Sequence, residues 1–310
     1  MRIFVAGATG ALGRPLVSQL VAAGHEVTGM TRTPDKTAAL RELGATPVLA
    51  DALDRDVVIA AVRAADPDVV VHQLTAIGKL DIRSPDRTFA ATNRLRTEGT
   101  DNLLAAARAA GATRFVAQSY AGWPYARVGD LVKPEDAPLD PDPPAGLRET
   151  HAAIRYLEET VLSAKDVEGV VLRYGGFYGP GTGMAKGGDQ YEAVRKRQFP
   201  LVGDGGGVWS LVHVEDAATA TVAAIERGAP GIYNVVDDEP APVREWLPAL
   251  AAATGGKPPF KLPRVLARLL MAPGMLAMMT EIRGASNAKA RRELGWVPAH
   301  RTWREGFQTL

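Results

Sequence analysis

Short, nearly continuous apolar runs alternate along the chain with stretches in which apolar residues recur every three or four positions. Arg2-Ile3-Phe4-Val5-Ala6 is the first run and reads as a strand, and Leu16, Val17, Leu20 and Val21 then mark one face of a helix. Glu26 to Met30 is a second strand, ending at Thr31-Arg32. A helix over 37–43, closed by Gly44, leads to a third strand over 46–50. Asp54 stands as a cap ahead of the helical spacing of Val57, Val58, Ala61 and Val62. The run 68–74, with Val69-Val70-Val71 at its centre, reads as a strand covered on both faces of a parallel sheet. A long helix over 88–110, a strand over 113–119, a helix around 155–162 and strands over 169–173 and 231–236 continue the alternation. Strands regularly separated by helices predict an α/β fold: a doubly wound parallel sheet.

The first strand runs directly into Gly7-Ala8-Thr9-Gly10-Ala11-Leu12-Gly13 before the helix begins. A glycine turn between strand and helix is the unit that binds a dinucleotide pyrophosphate. A Cβ would block the tight turn and hold the phosphates off the backbone, while the N–H groups opening the helix bind the anion. The glycines fall as Gly-x-x-Gly-x-x-Gly. In this the chain resembles the extended short-chain dehydrogenase/reductase superfamily, a Rossmann-type fold. The resemblance implies a nicotinamide cofactor cradled by Gly7, Thr9, Gly10, Ala11, Leu12 and Gly13. At the end of the second strand, Thr31 and Arg32 offer a hydroxyl and a cation to a ribose 2′-phosphate, where an acidic residue would favour the 2′-hydroxyl of NAD. NADP(H) is therefore the expected cofactor. By the same resemblance Asp51 and Ala52 lie at the adenine, Leu74 ends the fourth strand against the cofactor, and Tyr174, Gly175, Gly176 and Phe177 pass the nicotinamide.

Composition narrows the field. The 310 residues carry 36 basic and 35 acidic side chains, a net charge of +1 that leaves no electrostatic footprint for nucleic acid or an anionic membrane. With no cysteine, disulfides and thiolate chemistry are excluded, and the five histidines lack the close spacing of a metal cluster, so no metal is expected. The chain enters a strand at once without a signal peptide, and a soluble cytoplasmic protein is expected.

The superfamily's general acid is a tyrosine four residues before a lysine that lowers its pKa. No tyrosine here has a lysine four positions on. On the helix that should carry the pair, the two roles fall to Thr150 and Ile154 in one register and to His151 and Arg155 in another. Ser119 or Tyr120, ending the fifth strand, stands where the resemblance places a hydroxyl on the substrate carbonyl, a donor where charge develops. Asn93 matches the superfamily's structural or proton-relay asparagine. Tyr120, His151, a donor carried by the substrate itself (such as a phenol beside the ketone) and cofactor binding without turnover all remain open.

In the second half, Gly169-Val170-Val171-Leu172-Arg173 leads into Tyr174-Gly175-Gly176-Phe177-Tyr178-Gly179-Pro180-Gly181, similar to the superfamily's entry to its substrate domain. The stretch 182–189 reads as a mobile loop over substrate. Trp123, Tyr125, Tyr178, Met184 and Trp209 are the expected substrate contacts, and Trp209 suits a flat apolar ligand better than a nucleotide sugar. Residues 257–264, with three prolines, read as a linker, and 265–279 as a buried helix pair or a pliable wall for an apolar ligand. The segment 286–298 resembles the superfamily's C-terminal signature. The expected domains are 1–173, to which 208–236 returns, and a substrate domain from 174–207 and 237–310. The function implied is an atypical NADPH-dependent reductase of a ketone on an apolar, aromatic substrate, close in character to polyketide ketoreductases such as angucyclinone ketoreductases and so to antibiotic biosynthesis. A nucleotide-sugar epimerase or dehydratase and a non-catalytic NADP sensor are the alternatives. Homodimerisation through the helices 88–110 and 150–164 is possible on the same resemblance.

Overall fold

A computed structural model describes residues 1–77 and 81–310. Its centre is a seven-stranded sheet built from β1 (Arg2–Ala6), β2 (Glu26–Thr31), β3 (Thr46–Leu49), β4 (Val69–His72), β5 (Arg114–Tyr120), β6 (Glu168–Tyr174) and β7 (Gly231–Val235). The spatial order is β7-β6-β5-β4-β1-β2-β3, and every pairing is parallel. Val5 of β1 lies between Gly29 and Val71, so the strand order reverses at the β1/β4 boundary. In doubly wound sheets the ligand crevice opens above the carboxyl ends of the strands at that reversal.

The helices are α1 (Gly13–Ala22), α2 (Thr37–Glu42), α3 (Arg55–Ala65), α4 (Pro85–Arg94), α5 (Thr100–Ala110), α6 (Arg148–Ser163), α7 (Asp189–Arg195), α8 (Val214–Arg227), α9 (Val243–Ala253), α10 (Arg264–Leu270) and α11 (Pro273–Thr280). Leu16 and Leu20 of α1 and Ala217 of α8 pack with Val170 and Leu172 on one face of the sheet. Val62 of α3, Leu103 of α5 and Leu157 of α6 pack with Phe4 and Phe115 on the other. Strands apolar on both faces are what this two-sided burial requires. A separate core gathers Leu211, Val243, Trp246, Met275 and Trp303, and draws in Trp123, Leu147 and Ile154.

Two expectations are corrected. The stretch 257–264 is more than a linker, because Lys261–Leu262 pair in parallel with Leu201–Val202. The apolar stretch 265–279 is only half buried. Pro273 opens α11, which is buried, whereas α10 ends at Met271 in extended backbone and leaves Val265, Leu266 and Leu269 on the surface. No helix among the described residues is long and apolar enough to cross a membrane.

Candidate active site

The turn between β1 and α1 is shaped by its glycines. Gly7 has a φ of +94°, and a Cβ there would stand 2.6 Å from the Gln73 carbonyl oxygen. A Cβ on Gly13 would lie 2.1 Å from the Gly7 oxygen. Gly10 is exposed at the apex, with Thr9 and Ala11 half-buried beside it. Leu12 precedes the helix and no side chain caps it. The Arg14 and Leu16 N–H groups go to the Gly10 and Leu12 carbonyls and Pro15 has none, which leaves the N–H groups of Leu12 and Gly13 for an anion. This cradle fits a dinucleotide pyrophosphate.

At the adenosine end the structure brings Thr31, Arg32 and Asp51 together. Thr31 is buried, and its Oγ1 accepts from the Thr33 N–H at 3.2 Å. The Arg32 guanidinium is exposed and lies 3.7 Å from the Asp51 carboxylate. Ala52 is buried, and its carbonyl accepts from Asn102 Nδ2 at 2.9 Å. Leu74 is half-buried, with its N–H given to His72 Nδ1.

At the other end Tyr174 is fully buried, its hydroxyl bonded to Gln73 Nε2 at 3.1 Å and to Thr221 Oγ1 at 2.6 Å. Thr221 gives its own hydrogen to the Ala217 carbonyl, so Tyr174 donates to Thr221 and has no proton left for chemistry. The N–H groups of Gly175 and Gly176 go to the carbonyls of Val235 and Ser210, so neither is left for a ligand. Phe177 is half-buried, its ring 5.4 Å from that of Tyr174.

The acid candidates separate sharply. Ser119 is 2 % exposed and donates to Glu158 Oε1 at 2.6 Å, while Glu158 also accepts from Arg173 at 2.8 and 2.6 Å. The serine hydroxyl therefore points away from the crevice into a buried ion pair, which corrects its assignment as a substrate donor. His151 is corrected for a similar reason. It is buried, its Nε2 bonds the Pro124 carbonyl at 2.9 Å, and burial lowers its pKa, so it is neutral and occupied. Asn93, on α4, gives its amide to Thr150 Oγ1 at 3.1 Å, and Thr150 donates to Asp86 at 2.7 Å. Asn93 thus ties α4 to α6 and is no relay by itself. Ile154 is 1 % exposed within the third core.

Tyr120 remains. Its ring is half-buried at the carboxyl end of β5, 5.7 Å from the ring of Trp123. Its hydroxyl lies 3.7 Å from the position a Cβ would take on Gly176, so β5 and the loop after β6 converge on it. Burial pushes the Tyr120 hydroxyl up to about 12, against the opposing charge of Arg96, and it stays protonated at neutral pH.

Of the expected substrate contacts, Trp123 packs beside Tyr120, and Trp209 donates its indole N–H to the Met278 carbonyl at 2.8 Å while its ring leans on Trp246. Tyr125 and Tyr178 are corrected, since both are 0 % exposed. Tyr125 is bonded to Asn234 and Arg173, and Tyr178 is wedged between His213 and Phe307. Met184 is also buried, in the third core, and is a packing residue.

Arg96 escaped the sequence reading. It is buried, on a π turn (Leu95–Gly99) that joins α4 to α5. Its charge acts on Tyr120 and Glu158. A basic residue inside an apparently continuous helix gives no periodic signal, and the turn that rotates it inward is not visible as a pattern.

The sequence profile of the NAD dependent epimerase/dehydratase family matches residues 3–235. The chain belongs to that family. Among its relatives, the 3-diazoavenalumate denitrifying reductase of a Streptomyces species is 49% identical over 308 residues, 99% of each chain. A 4-hydroxy-2-methyl-3-oxo-4-farnesyl-3,4-dihydroquinoline-1-oxide ketoreductase from Stigmatella aurantiaca is 31% identical, covering 100% of this chain and 96% of its own. Among solved structures, the UDP-glucose 4-epimerase of Thermus thermophilus in complex with NAD superposes with a TM-score of 0.77 at 26% identity, covering 99% of this chain and 97% of that one. The family is nicotinamide-dependent, and these reductase-named relatives support an oxidoreductase.

Proposed function

We propose that the protein is an NADPH-dependent reductase that delivers hydride to an aromatic acceptor able to take it without a proton from a tyrosine–lysine pair. The observation that supports this is that no tyrosine precedes a lysine by four residues, and that in either register on α6 the residues are engaged or buried: Thr150 with Asn93 and Asp86, Ile154 in the core, His151 with the Pro124 carbonyl and Arg155 with that of Asp140. A nicotinamide in the crevice supplies the hydride. The chain's own residues orient the acceptor, and orientation alone lowers a barrier by about 7–11 kcal/mol in favourable cases.

An aromatic diazo acid meets the requirement best. A diazonium carbon that gains hydride releases dinitrogen as a neutral leaving group, so no acid is needed. The 49% identity to a denitrifying reductase of a diazo compound supports this acceptor. Tyr120, with the ring of Trp123 packed behind it at 43°, offers it an aromatic contact. A ketone is the second reading, favoured by the Tyr120 hydroxyl, which stays protonated and donates to an oxygen that becomes an alkoxide.

The test uses purified protein with NADPH deuterated at the transferable position, an ortho-diazo phenolic acid, and a panel of aromatic ketones. Deuterium at the former diazo carbon, with dinitrogen released, supports the first reading. Deuterium at a carbinol carbon supports the second. Oxidation of NADPH by neither class sinks the proposal.

A further inference from the structure

The guanidinium of Arg96 is not used by any contact that explains its burial. The side chain is 8% exposed, yet among the described residues its one hydrogen bond is from NH1 to the neutral Asn93 Oδ1 at 3.3 Å. Among the described residues no carboxylate lies within ion-pair distance of it. Glu158, whose charge reaches it, is held through both oxygens by Arg173 and also accepts from Ser119. Glu158 is therefore taken by Arg173, and only its longer-range charge reaches Arg96. His72, which also feels Arg96, does not change that balance, because both ring nitrogens are engaged by backbone in the neutral form. A buried charge with no counterion is costly, by several kcal/mol in general, and an anion arriving from outside offsets that cost. The π turn that turns Arg96 inward is a rare local geometry that recurs at functional sites. The Arg96 charge acts on Tyr120, a neutral hydroxyl donor at the carboxyl end of β5.

Resting on the reductase reading above, we propose that Arg96 and Tyr120 form an oxyanion-binding pair for the substrate oxygen next to the atom that receives hydride. A phenolate beside a diazo group and the alkoxide formed from a ketone share this chemistry. A cation and a hydroxyl stabilise such an oxygen; a diazonium carbon that gains hydride and loses dinitrogen then needs no proton, whereas an alkoxide formed from a ketone takes its proton from water to leave as the alcohol. Burial lowers the Arg96 pKa to about 10, which leaves the guanidinium charged at neutral pH, and arginine suits the position for that reason.

The pair can be tested without turnover. Protein saturated with NADP+, so that the phosphate cradle and Arg32 are occupied, is titrated with 4-nitrophenol across pH, and ionisation of the bound probe is followed by absorbance. The expected result is ionisation about one pH unit below that of free probe, a tenfold preference for phenolate. Arg96→Lys keeps the direction of the shift, and Arg96→Met abolishes it. A probe that does not bind to the wild type, a bound probe with an unshifted midpoint, or a shift that survives Arg96→Met overturns the pair. If Arg96→Met does not fold by circular dichroism, the wild-type and Arg96→Lys titrations decide. A shifted probe with no diazo or ketone turnover removes the reductase reading and leaves the oxyanion pair. Turnover with an unshifted probe does the reverse.

Discussion

Ser119 Oγ lies 2.6 Å from Glu158 Oε1 and faces the sheet–helix interior, although it ends the same strand as Tyr120. Adjacent residues on a strand point to opposite faces, so only one of the two can look into the crevice. Glu158 bonds two partners at once, and each removal has a distinct cost. Glu158→Gln leaves Arg173 buried without its counterion and is expected to cost about 3–5 kcal/mol. Ser119→Ala removes one bond to a charged acceptor and is expected to cost about 1–3 kcal/mol. Urea unfolding measures both. A hundredfold loss of reductase rate in Ser119→Ala with unchanged stability would return the serine to the catalytic site.

Tyr120→Phe separates the two acceptor readings. If the hydroxyl donates to a developing alkoxide, its loss lowers kcat/KM for a ketone by about 10²-fold, the usual effect of one oxyanion donor. For a diazo acceptor the loss stays below about tenfold, since the leaving group carries no charge and Arg96 remains. Because burial holds the Tyr120 hydroxyl near 12 and lowers Arg96 only to about 10, both keep their protons as pH rises from 7 to 9, and the rate is expected to be flat there. A break near neutrality that vanishes in Tyr120→Phe contradicts this.

Arg32→Ala tests the cofactor. The guanidinium stands at the end of β2 beside Asp51, exposed and free to swing to a 2′-phosphate. Fluorescence titration is expected to show NADPH binding at least tenfold tighter than NADH, a difference of about 1.4 kcal/mol that the substitution erases. Equal binding of both cofactors by the wild type would remove NADP selectivity while leaving the cradle intact.

The fold was legible because it rests on local and repeated signals. Continuous apolar runs such as Val69-Val70-Val71 can be satisfied only inside a covered sheet, and the glycine turn has one steric solution. The crevice was legible only at its cofactor end. Tyr125, Tyr178 and His151 looked chemical by residue type, but their direction depends on partners far away in sequence, such as Asn234, Phe307 and Pro124. Arg96 was missed for the converse reason: its meaning comes from a counterion it lacks, and the lack is visible only when Arg173 is seen to hold Glu158.

The β1–α1 turn predicts a steep contrast between two glycines. A Cβ at Gly13 meets backbone at 2.1 Å, so Gly13→Ala must move the turn or the helix, and both cofactor affinity and stability fall. The expected loss is about 1–3 kcal/mol of stability, the range for overpacking a tight site. Gly24, with a φ of +82° and nothing within 4 Å of a Cβ, is strained by substitution but not blocked. Gly24→Ala is therefore expected to lower stability by about 1 kcal/mol and leave NADPH affinity unchanged. Equal cofactor losses in both variants would show that the cradle is not what Gly13 maintains.

His72 sets an acid limit on the fold beneath the site. Its Nδ1 accepts the Leu74 N–H at 3.3 Å, so its Nε2 carries the hydrogen given to the Leu95 carbonyl at 3.1 Å. A second ring proton would face the Leu74 N–H and lie near the Arg96 charge. Burial is the larger effect, and together they lower the His72 pKa from 6.5 to about 4. The unfolded chain therefore binds a proton between these values when the folded one does not, and stability rises with pH across the window. As pH falls from about 6.5 to about 4, roughly 3 kcal/mol is lost from this group. His72→Gln has no proton to gain. Its unfolding free energy, measured in urea at intervals from pH 7 to 4, is expected to fall less steeply than the wild type's by that amount. Parallel curves for the two proteins would mean that His72 ionises freely in the folded state, and that the β4 end is open to water.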